Sequence, residues 1–204
     1  MLLKNNKTIQ QRLKMAVVII MAITVSYLCG NYYKHYKSNQ KLPANLSATL
    51  LNPPQDINQL NLLDQHGQDF KAKDLMDYWN LVFIGNPAPE SEKVINKAIS
   101  VFNEFVTEND LQKKIRFILI AKDAQVSQQD MLGYLPKQAH FFIGLTGQDK
   151  ELKAIKKVLG YLDETHFIYL INNQGAFNAI FDSQMSEVEI AKNIKAIMML
   201  HGDL

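Results

Sequence analysis

The sequence predicts a layered α/β domain, a central mixed sheet flanked by helices, and three observations carry that prediction. Leu81 to Ile84 (LVFI) and Ile115 to Ala121 (IRFILIA) are short, largely apolar runs, the pattern of strands covered on both faces. Between them Val94, Ile95, Ala98, Ile99, Phe102, Phe105 and Val106 recur at helical spacing. The chain has 204 residues, 47% of them hydrophobic, which suffices for one such domain with an appendage and not for two.

The appendage is amino-terminal. Residues 15–30 (MAVVIIMAITVSYLCG) carry no charge, and the uncharged run continues through Asn31, Tyr32 and Tyr33. About 20 apolar residues cross a bilayer, so a transmembrane signal-anchor is expected at 15–33, with Tyr27, Tyr32 and Tyr33 at an interface. A cleaved signal peptide is the rival reading, but no small-x-small site follows the run. Lys4, Lys7, Arg12 and Lys14 precede the span, and Lys34, Lys37 and Lys41 follow it, a slight positive-inside bias. It assigns residues 1–14 to the cytoplasm and the domain to the other side. From His35 to about Asp56 the chain is polar, with Pro43, Pro53 and Pro54, and residues 34–55 read as a tether to a domain at 56–204.

Within the domain, Ile57 to Leu63 alternates apolar and polar, Asp64 to Gly67 makes a turn and Phe70 returns, a hairpin signature. The helix after LVFI opens with Pro89, Glu90 and Glu92, which suit a first turn. A short helix is expected from Ser127 to Leu135, then a strand-like segment at His140 to Ile143. Thr146-Gly147-Gln148-Asp149 opens a helix with an apolar face of Leu152, Ile155, Val158 and Leu159, and Gly160 ends it. His166 to Ile171 and Ala176 to Phe181 form a second hairpin about Asn172 to Gly175. The last helix has a capping box, Ser186 and Glu189, and a buried side of Val188, Ile190, Ala191, Ile194, Ile197 and Met198.

A β-α-β unit followed by a hairpin and a closing helix is the order of the thioredoxin fold. Several stretches resemble the Sco/SenC family, membrane-anchored thioredoxin-fold proteins of copper delivery to cytochrome c oxidase and of thiol redox chemistry. Phe142-Ile143-Gly144-Leu145-Thr146-Gly147 is similar to the family's F-x-GLTG segment. Leu60, Leu62, Asp64, Gly67 and Phe70 resemble its opening hairpin. Ile168 to Ile171 with Gln174-Gly175 resembles its later one. The resemblance covers about residues 52–200.

Against that pattern the loop FIGNPAPESEKV, Phe83 to Val94, lacks its sulfur. Aligned on the family's C-P-x-x-C-P, Ala88 replaces the first cysteine, Pro89 keeps the proline and Glu92 replaces the second. The resemblance also implies a third copper ligand, a histidine, where Asp163-Glu164-Thr165 places Glu164. His166 lies two residues on and substitutes for that ligand if the register slips by two, which keeps the strand face. Cu(I) prefers soft sulfur, which Ala88, Glu92 and Glu164 do not supply.

Other chemistries find little support. The only cysteine, Cys29, falls within the anchor and reads as an apolar filler, so this chain contains no dithiol. A net charge of +2 with scattered Lys and Arg gives no nucleic-acid footprint. Gly144 to Gly147 lacks the lysine and spacing of a phosphate loop. Asp163 and Glu164 are adjacent and do not converge on one substrate atom in an extended strand. Met185, Met198, Met199 and His201 offer sulfur and nitrogen near the carboxyl end, but methionine beside a buried helix face reads as core filling. His35, His66, His140, His166 and His201 show no close pairing.

The expectation is therefore a non-enzymatic, membrane-anchored Sco/SenC-like protein with a degenerate active site and no cofactor. The resemblance links it to copper homeostasis or cytochrome c oxidase assembly. It would engage a protein partner, a cysteine-containing Sco-like protein or an oxidase assembly component, through Asn86, Pro87, Ala88, Pro89, Glu90, Ser91 and Glu92. The alternative is a non-redox Cu(II) binder using His166 with Glu92 or Glu164. Without an Arg- and Ser-rich presequence, the expected location is a bacterial inner membrane with the domain in the periplasm.

Overall fold

In the computed structural model the described residues are 46–135, 141–162 and 167–204, together with helical residues 15, 19–21 and 23–27. Two compact units are distinguished: Met1–Ala44 with Met199–Asp203, and Asn45–Met198 with Leu204. In the first, Thr24 Oγ1 donates to the Ile20 carbonyl at 2.8 Å, one helical turn back. Met15, Ile19, Ile20, Met21, Ile23, Val25 and Tyr27 are all more than half exposed. Among the described residues no helix is long and apolar enough to cross a membrane. Much of the expected span, including 16–18, 22, 28–33 and Cys29, lies outside them.

The second unit is built on the two apolar runs. They become β4 (Trp79–Ile84) and β5 (Ile115–Ile120), parallel neighbours from Trp79 opposite Ile115 to Ile84 opposite Ile120. The other strands are β1 (Thr49–Asp56), β2 (Asn61–Asp64), β3 (Asp69–Lys71), β6 (Phe142–Thr146), β7 (Phe167–Ile171) and β8 (Ala176–Asp182). They join one sheet in the order β1-β8-β7-β4-β5-β6-β2-β3. β4, β5 and β6 are parallel and the remaining pairs antiparallel.

Alternation along the strands makes two cores. Trp79, Leu81 and Phe83 face one way, with Phe117 and Leu119, under α1 (Pro89–Asn103) and α5 (Glu187–His201). Val82, Ile118, Tyr169 and Ile171 face the other way, under Leu152, Ile155 and Leu159 of α4 (Asp149–Leu159). Two short helices complete the set, α2 (Asn109–Gln112) and α3 (Gln128–Tyr134). α3 lies so close to β6 that a Cβ at Gly144 would stand 2.0 Å from Met131 Cγ. Gly160 ends α4 at φ 64°, the left-handed cap its position predicts.

Four expectations need correction. Thr49–Asp56 forms an edge strand against β8 where composition predicts a tether; pairing overrides the missing periodicity, and a sheet edge tolerates its prolines. The first hairpin strand begins at Asn61, not Ile57, although Ile57 and Leu60 are buried. The segment expected from His140 is a strand only from Phe142, with His140 outside the described residues. Val106 and Val188 are 62% and 60% exposed: Val106 follows the end of α1, and Val188 precedes the buried stripe of α5, which starts at Ile190.

Candidate functional site

The loop after β4 lies at the carboxyl end of the parallel strands, where open α/β sheets place their sites. Gly85 N donates to Ile120 O at 3.0 Å, extending the pairing of β4 and β5 by one bond. Ala88 then adopts an extended backbone (φ −153°, ψ 160°) as the residue before α1, and Pro89 occupies the first turn. Ala88 has no side-chain acceptor for the free amides there. Ser91 turns inward instead: its amide donates to Ala88 O at 2.9 Å and its hydroxyl to Asn86 O at 2.7 Å.

Distant residues pin this loop. Asn86 Oδ1 accepts from Lys122 N at 3.0 Å and Asp123 N at 3.1 Å, while its Nδ2 donates to Asp123 Oδ2 at 2.6 Å. The Tyr134 hydroxyl donates to Ala88 O at 2.7 Å. Lys156 Nζ, from α4, donates to Lys122 O at 2.8 Å. Ser127 caps α3 through Asp130, whose carboxyl the Ser127 hydroxyl and amide hold below the usual carboxylate range.

The sequence-predicted positions fall into two groups. Asn86, Pro87, Ala88, Ser91 and Glu92 are placed together at the β4–α1 junction, with Glu92 exposed and Ala88 half-buried. Glu164 and His166 lie outside the described residues. Among the described residues no group of three or more His, Cys, Asp and Glu side chains could hold a metal. Ala88 brings a methyl and Glu92 a hard carboxylate, so the loop does not fit a Cu(I) ion, which wants thiolates. Met198 is fully buried in the first core and Met185 is partly buried against it. The sequence reading missed Asp123 and Tyr134: one follows a buried strand and one closes a short helix, and neither position carries a local signal of its partner.

Residues 51–199 match the family model described as SCO1/SenC. The chain belongs to the SCO1/SenC family. A SCO2-like protein of Rickettsia conorii is 23% identical over 191 residues, spanning 86% of this chain and 94% of that protein. The crystal structure of Arabidopsis thaliana ScoI with copper bound superposes with a TM-score of 0.61 at 18% identity, over 69% of this chain and 96% of that one. BsSco, a member of the Sco family of cytochrome c oxidase assembly proteins in which a disulfide switch was identified, superposes at 0.56 with 11% identity, over 77% and 97%. These structures share the thioredoxin-like Sco fold with this chain. Its single cysteine excludes a disulfide within it.

Proposed function

We propose that this SCO1/SenC protein is a membrane-anchored, non-catalytic interaction module of copper homeostasis or cytochrome c oxidase assembly. It engages a protein partner, a cysteine-containing Sco-like protein or an oxidase assembly component, through residues 86–92. The observation that carries this reading is the loop itself. It is held by Asn86, Asp123 and Tyr134 while the two vacated family positions bear a methyl and a carboxylate. A rigid loop loses little entropy on docking, so its shape has a use without its thiols. Copper in the Arabidopsis relative and the oxidase-assembly role of BsSco support the process.

The anchor reading rests on the uncharged run at 15–33 and on the exposure of its described apolar side chains. With basic residues ahead of the run, the domain is assigned to the periplasmic side of a bacterial inner membrane. Carbonate extraction and an alkaline phosphatase fusion after Leu204 test both points; a carbonate-soluble chain or an inactive fusion rejects them.

The functional test is a titration of the full chain in detergent with Cu(I) and Cu(II) separately. No ion is expected to bind more tightly than it binds a surface-histidine control. A photo-crosslinker at Glu92 is expected to capture a Sco-like or oxidase-assembly protein in native membranes, and one at Lys113 is not. One tight Cu(II) per chain that disappears in His166→Ala would overturn this reading in favour of the copper-binding one.

A further inference from the structure

Between β1 and β2 the chain passes through residues 57–60 outside any strand. Ile57 and Leu60 fix this segment, 3% and 6% exposed in the second core. Its main chain is not fixed: among the described residues Asn58, Gln59 and Leu60 form no backbone hydrogen bond. The pairing resumes at once, with Asn61 opposite Lys71. An anchored segment with open amides and carbonyls is a template for a further strand.

Two cavities flank it. They measure about 420 and 550 Å³ and share Asn61 and Glu151 as a common border. Each falls within the size range of ligand sites, roughly 300–1,000 Å³. The smaller one sits at a switch point of the sheet. After β5 the chain crosses to α3 on one face, and after β6 to α4 on the other, as Met131 and Leu152 in opposite cores show. Crevices outside the carboxyl ends of such neighbouring strands are where open α/β sheets bind ligands.

The chemistry of the groove selects its occupant. In the smaller cavity Gln125 and Gln128 present carboxamides without a hydrogen-bond partner among the described residues. A carboxamide both donates and accepts, as a peptide group does. In the larger cavity Lys73 and Lys150 have no acidic partner among the described residues. Lys71 beside them is paired with Asp69 at 3.0 Å. The shared Glu151 turns its Oε2 to Gln148 N at 2.7 Å in the first turn of α4. Among the described residues no aromatic ring lines either cavity for stacking a sugar or a base.

We propose that this groove docks an extended acidic segment of a partner protein, paired main chain to main chain along residues 58–60 with its carboxylates on Lys73 and Lys150. β-strand addition supplies affinity through the backbone and specificity through the flanking charges. The groove shares no residue with the loop at 86–92, so the two surfaces are separate.

The probe is a capped peptide alternating Val and Asp and carrying one benzophenone, photolysed with the full chain in detergent and mapped by mass spectrometry. Labelling is expected at residues 58–63 and 125–128. The double variant Lys73→Glu, Lys150→Glu should weaken it about tenfold at low salt, since rim charges act mainly on encounter, with an unchanged melting temperature. N-methylation of alternate peptide amides keeps the charge, removes main-chain donors and should abolish labelling. The proposal fails if labelling is absent at millimolar peptide or scattered over the surface. It fails equally if a peptide with Lys in place of Asp, or the N-methylated peptide, labels as well.

Discussion

The Tyr134 hydroxyl donates to the Ala88 carbonyl at 2.7 Å, so the helix after β5 holds the loop after β4. Asn86 makes a second tie between the same two connections, through Lys122 and Asp123. A family loop without its thiols is thereby kept in one shape.

Tyr134→Phe removes one hydrogen bond and leaves a carbonyl that still accepts from Ser91 N, so it should cost about 1 kcal/mol. Asn86→Ala strips the acceptor from two main-chain amides, and a loss of roughly 1–3 kcal/mol is expected. Urea unfolding at constant m-value measures both, and hydrogen exchange should rise at residues 86–91. An Asn86→Ala protein as stable as the parent would show that the tie contributes nothing.

Restoring sulfur tests whether the loop retains the family's shape. In a Cys29→Ser background, Ala88→Cys with Glu92→Cys should form an internal disulfide under mild oxidation, read as the loss of two hydrogens in the intact mass. Reduced, the same protein should bind Cu(I), since paired thiolates are the soft ligands it prefers. Neither property is expected of the parent chain. If neither appears in the double variant, the loop has lost its geometry along with its cysteines.

Two glycines should respond oppositely to alanine. At Gly144 the new Cβ would meet Met131 Cγ at 2.0 Å and Leu135 Cδ1 at 2.8 Å, so overpacking should destabilise by roughly 1–3 kcal/mol. At Gly133, within α3, nothing lies within 4 Å, and alanine should stabilise by about 0.5–1 kcal/mol through helix propensity. Thermal melts of the two variants on either side of the parent would bear this out.

Tyr169 is 1% exposed and its hydroxyl is buried without a hydrogen-bond partner among the described residues. Burial, with Tyr161 second, pushes that hydroxyl up from 10.0 to about 12. The folded state therefore keeps its proton while the unfolded state loses it, and stability should fall as pH rises between these values. Tyr169→Phe should remove this part of the alkaline decline. At neutral pH it should be neutral or slightly stabilising, because an unsatisfied buried hydroxyl is costly. A Phe variant with the parent's alkaline profile would count against the assignment.

Much of the fold was legible because its signals are local. β4 and β5 are apolar runs, α1 and α4 have apolar faces at helical spacing, and Gly160 sits where a left-handed cap is required. β1 was not legible. Its sequence TLLNPPQD has neither alternation nor uniform apolarity, and it is a strand because the edge of β8 offers unpaired groups. Val188 misled because helical spacing tells which residues share a stripe and not where the neighbouring layer begins.

The site divides in the same way. The loss of sulfur is a matter of composition: one cysteine, at position 29 and so well before the loop in sequence, settles it, and the order of motifs is enough to point to the family. The resemblance to the family also marked residues 86–92 as the segment to examine. What holds that segment was decided by the tertiary structure alone. Asn86 meets Asp123 across 37 residues and Tyr134 meets Ala88 across 46. A hydrogen bond between loops leaves no periodicity in a sequence, because its partners come together only when the parallel strands beneath them pair.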